Sequence, residues 1–113
     1  MTLTIGFFSL VAAALIGLIM AGKLSNQTHP AWSAGLIHAT LAIAGLVLVI
    51  VSMVNGNSLQ RLFAACVIFG LAALGGIYLA GLHANKRIPS RAIVIGHGLL
   101  GVAGIGLVGS TLL

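Results

Sequence analysis

An all-α integral membrane protein, a four-helix up-down bundle made of two helical-hairpin repeats, is the fold this sequence predicts. Three observations lead there. Of 113 residues, 60% are hydrophobic and only 4% charged, with five Lys or Arg and no Asp or Glu; a soluble domain has about a quarter of its residues charged. Four long apolar runs account for nearly the whole chain, and the mean hydropathy is +1.25. The second half of the chain also repeats much of the first.

The first apolar run spans residues 2–22. It has no positive n-region, since the first cation is Lys23 at its far end, so it reads as a retained helix and not a cleaved signal peptide. The second run spans 31–54, the third 59–82 and the fourth 90–113. Each is long enough to cross a hydrocarbon layer of about 30 Å, which takes roughly 20 helical residues. Backbone groups in lipid must bond within the segment, so the runs are helices. The connections 23–30, 55–58 and 83–89 are short, which makes sequential helices antiparallel and leaves a single transmembrane domain over 1–113. The cations set its orientation. Lys23, Lys86, Arg87 and Arg91 fall at the first and third loops, whereas Arg61 falls at the second. The positive-inside rule then puts the first and third loops in the cytoplasm and both termini outside, in a bacterial-type inner membrane.

Offset by 59 residues without gaps, 13–54 lies over 72–113 with 14 identities in 42 columns. Pro30/Pro89 and His38/His97 recur at the same spacing of eight, which general greasiness does not produce. Each copy crosses the membrane twice, so the copies share one orientation, with a pseudo-twofold axis along the membrane normal.

Composition excludes several functions. Without carboxylates there is no carboxylate acid/base pair, EF-hand, side-chain salt bridge or carboxylate proton relay. Five scattered cations and 5% aromatics do not make a nucleic-acid face. The single cysteine, Cys66, forms no internal disulfide and reads as a small apolar residue.

The chemistry-bearing residues are the histidines. His38 and His97 lie about six residues, roughly 9 Å, inside the second and fourth helices, at equal depth. Those helices are diagonal neighbours in an up-down bundle, and two imidazoles across the diagonal suit one metal in a flat macrocycle. Small residues surround them: Gly45 and Gly104 seven positions on, and Gly17, Ala21, Gly76 and Ala80 on the other helices. Such seams also serve ordinary helix packing. A zinc site wants four ligands, so haem b with two axial His ranks first and a chlorophyll-type pigment second. His29 and His83 lie near the water, as interfacial groups or a secondary site binding a propionate, a proton or a metal.

This layout resembles the small b-type membrane cytochromes, four-helix bundles with paired His on different helices and glycines facing the ring. The resemblance implies His38 and His97 as axial ligands and one-electron transfer. Dihaem members of that group carry a second His pair near the opposite face; this chain has none there, so the resemblance implies one haem. Lys23, Lys86, Arg87 and Arg91 are candidates to meet the propionates or an anionic donor. A quinone, a redox protein or a larger membrane complex is the expected partner. Two other readings stand beside this one: a pigment-binding or structural accessory subunit, and a small oligomeric transporter or channel. An electron carrier or a complex subunit is more expected than a stand-alone enzyme.

Overall fold

The computed structural model describes residues 1–56 and 58–113. Its elements are α1 (Thr2–Ser25), α2 (Trp32–Val54), α3 (Leu59–Ala84) and α4 (Arg91–Ser110). No strand occurs among the described residues. All four helices are long and apolar enough to span a membrane, and the longest dimension of the bundle is 43 Å. That matches a bilayer of about 40–45 Å with its interfacial zones. α1 packs along α2 and α3 along α4, while contacts of α1 with α4 and of α2 with α3 close the bundle. Large side chains such as Leu18 and Ile77 are about 70% and 69% exposed, so apolar surface faces outward on every side.

Two helix ends lie beyond their expected boundaries. α1 runs through Lys23 to Ser25, and α3 through His83 to Ala84. Both then end in the same turn. Gln27 N–H donates to Leu24 O at 3.0 Å and Thr28 N–H to Lys23 O at 2.9 Å. Lys86 N–H donates to His83 O at 3.0 Å and Arg87 N–H to Leu82 O at 2.9 Å. This is the Schellman pattern, with the left-handed position held by Gln27 (φ 59°) and Lys86 (φ 56°) where glycine is usual. α4 stops three residues early, at Ser110. The hydroxyls of Ser110 and Thr111 donate to Leu107 O and Val108 O, and Arg61 Nη1 donates to Ser110 O at 3.2 Å.

The packed core sits at one end. Leu3, Leu10, Val49, Leu62, Ala65, Phe69 and Val108 are buried together, with Phe7 and Met53 against them. These positions belong to the half that holds the chain termini and the α2–α3 turn. In the other half the packing is loose: among residues 14–44 and 73–103, Pro30 alone is buried.

Candidate functional site

His38 on α2 and His97 on α4 meet in this loose half, with ring centroids 6.1 Å apart and planes at 68°. Both rings are half-buried. Each is held by the neighbouring helix of its own hairpin. His38 Nδ1 lies 2.7 Å from Ala13 O, and His97 Nδ1 lies 2.8 Å from Ala72 O. A carbonyl only accepts, so each Nδ1 carries the proton and donates. In the neutral form of such a ring the lone pair is on Nε2, and no bond from Nε2 to another described residue is seen.

Glycine makes this bond reachable. In a helix the Cβ leans toward the N-terminus, so the side chain at i+4 covers the carbonyl at i. The residues four beyond Ala13 and Ala72 are Gly17 and Gly76. A methyl at position 17 would stand 3.0 Å from His38 Cε1 and 3.2 Å from Nδ1; one at position 76 would stand 3.2 Å from His97 Cε1. Gly75 widens the second cradle, 3.5 Å from His97 Nδ1 by the same measure.

The expected ring of small residues divides into separate uses. Gly17 and Gly76 seat the imidazoles. Gly45 instead accepts Leu10, whose Cγ would lie 2.6 Å from an added Cβ, and Gly104 accepts Phe69 at the same distance from Cε1. Their space is already filled by core side chains, so they pack helices and do not open a slot beside the histidines. Ala21 lines a cleft between α1 and α4 together with Arg91, and Ala80 is exposed. Lys23, Lys86 and Arg87 are exposed at the same end of the bundle.

His29 and His83 come together, away from the first pair. Their rings stack at 5.4 Å and 16°, and Trp32 stacks on His83 at 4.1 Å and 10°. Imidazole lone pairs lie in the ring plane, so parallel stacked rings confine them to separate parallel planes, a poor geometry for sharing one ion. His29 Nδ1 is buried without a hydrogen-bond partner. Trp32 thus takes part in a stack, a partner that its place beside Pro30 did not announce. No group of three or more His and Cys able to hold a metal occurs among the described residues.

The donor set fits a two-imidazole metal centre. With metal–nitrogen bonds of about 2 Å, two imidazoles on opposite sides of one metal have centroids roughly 6 Å apart. A ligating His typically donates its other N–H to a carbonyl or carboxylate, which fixes the tautomer and raises basicity; Ala13 O and Ala72 O accept from Nδ1 of His38 and His97 in the same geometry. Compared with known protein families, curated proteins and solved structures, the chain shows no significant match.

Proposed function

We propose that this chain is an integral membrane haem b protein that passes single electrons, with His38 and His97 as the residues that would hold the haem iron. The observation that carries the reading is the pair of matched Nδ1–H···O bonds, which leave two Nε2 lone pairs on rings 6.1 Å apart. Haem held by two histidines would supply one-electron transfer chemistry. The residues of this chain do the rest. Ala13 O and Ala72 O hold the imidazole tautomer and orientation, Gly17 and Gly76 keep those carbonyls accessible, and the loose packing of this half lets the helices part. Lys23, Lys86 and Arg87 supply positive charge for propionates in a chain that has no side-chain carboxylate. The 6.1 Å spacing favours one shared metal over two magnesium pigments, each of which would need its own ring plane between the histidines.

In this reading the hairpins are the two repeats, related by a pseudo-twofold axis along the membrane normal. The identical Schellman turns at Gln27 and Lys86 support it. The first and third loops face the cytoplasm of a bacterial-type cell, and a quinone or a redox protein exchanges the electron. The test is a reduced-minus-oxidised absorbance spectrum of the full chain purified from haem-replete cells. A sharp b-type α-band is expected, lost in His38→Ala and in His97→Ala and kept in His29→Ala. A colourless protein would overturn the proposal.

A further inference from the structure

The two hairpins differ most where they meet at the histidine end. Between α1 and α4 a cleft of about 390 Å³ opens to the outside, within the usual size of a small-ligand site. Leu18, Val94 and Ile95 form its apolar walls, and Ser25, Gln27 and Arg91 stand at its polar mouth. The corresponding junction between α3 and α2 is bridged by an aromatic stack. The residue 59 positions before Arg91 is Trp32, and the residue 59 positions after Leu24, another lining residue, is His83. Those two rings lie 4.1 Å apart and nearly parallel. One junction therefore carries its own side-chain plug. Its counterpart has exchanged the plug for a leucine and an arginine and stands open.

Arg91 cannot be neutralised from within, because the chain has no Asp or Glu. An arginine presents a planar fork of donors suited to a phosphate. The cleft pairs that fork with Ser25 and Gln27 at one end and aliphatic walls at the other, which is the polarity of one phospholipid leg. Basic pockets between membrane helices on the cytoplasmic side are suited to anionic head groups. We infer that the α1–α4 cleft binds an anionic phospholipid, its phosphate on Arg91 and an acyl chain against Leu18, Val94 and Ile95. The inference rests on the membrane reading and is independent of haem. It assigns Arg91 to lipid and leaves Lys23, Lys86 and Arg87 for the propionates.

The test is native mass spectrometry of the full chain in mild detergent, titrated with phosphatidylglycerol or with phosphatidylcholine of the same acyl chains. Phosphatidylglycerol should be retained in preference. Arg91→Gln should weaken its retention by roughly tenfold, whereas Lys23→Gln and Lys86→Gln should change it less than about twofold. The double substitution Leu24→His with Arg91→Trp copies the plug into the open cleft and should abolish retention while preserving helix content by circular dichroism. Equal losses for Arg91→Gln, Lys23→Gln and Lys86→Gln, or equal retention of both lipids, would overturn the site. A chain recovered without detergent from the soluble fraction would instead sink the membrane reading, before any lipid comparison.

Discussion

Gly17 lies beneath the imidazole of His38 so closely that a methyl group there would stand 3.0 Å from Cε1. The glycine and the histidine form one device. The missing side chain exposes the Ala13 carbonyl, and the histidine takes it at 2.7 Å.

Gly17→Ala and Gly76→Ala should therefore act through the histidines. Each added methyl displaces a ring by a few tenths of an ångström and strains a bond worth about 1 kcal/mol. Loss of such support typically lowers metal affinity by about 10–100-fold. Haem retention during purification should fall in both variants. Gly22→Ala, where an added Cβ meets nothing within 4 Å, should leave retention unchanged. Equal retention in all three would show that the carbonyl bonds do not support the ligands.

Gly104→Ala should lower thermal stability without altering the histidine pair. The new Cβ would lie 2.6 Å from Phe69 Cε1 and 2.7 Å from Cζ, in the packed half of the bundle. Overpacking of this kind costs about 1–3 kcal/mol. Adding Phe69→Leu removes the ring that clashes and should recover much of the loss. Unfolding in detergent followed by circular dichroism reads both steps.

Gln27→Gly and Lys86→Gly should stabilise the chain. Both residues hold a left-handed backbone, at φ 59° and 56°, which costs a residue with a Cβ about 1–2 kcal/mol. Glycine removes that strain and gives back roughly 0.5–1 kcal/mol as chain entropy. The net gain should be a few tenths to about 1 kcal/mol per loop, seen as a higher melting temperature. A lower one would mean that the Gln27 and Lys86 side chains stabilise their loops.

Topology can be read by thiol labelling in a Cys66→Ala background. A cysteine placed at Leu113 should react with a membrane-impermeant reagent once the outer envelope is permeabilised. A cysteine at Thr28 should react only after the inner membrane is broken. The reverse pattern would invert the orientation that Lys23, Lys86, Arg87 and Arg91 imply.

The helices were legible because apolar runs of this length have few other uses, and the depth of His38 and His97 followed from counting beyond Pro30 and Pro89. The ends of α1 and α3 were not. Each helix continues into a left-handed turn held by Gln27 and Lys86 instead of glycine, and the stop signal at the true boundary was only Asn26 or Asn85. α4 closes on the hydroxyls of Ser110 and Thr111, inside what reads as an uninterrupted apolar run. The glycines were visible as a seam, but a seam looks the same whether it seats an imidazole, admits Leu10 or Phe69, or makes room for a flat ring. Only the side-chain placements separate those uses. The pairing of His83 with Trp32 and His29 was equally hidden, since it joins the end of α3 to the start of α2 and the loop before it, segments distant in the chain.

The burial pattern has a mechanical meaning. The side chains that lock the four helices together cluster where the chain begins, reverses between α2 and α3, and ends. The opposite end has little buried packing and is held by the two hairpin loops, the Nδ1–H bonds of His38 and His97, and the stack of Trp32, His83 and His29. Such a bundle is clamped at its base and sprung at its tip. Local opening at that end is expected to leave Leu62, Val49 and Val108 packed. Amide exchange should show this as early opening around Gly35 and Val94 and late opening around Val49 and Ala65.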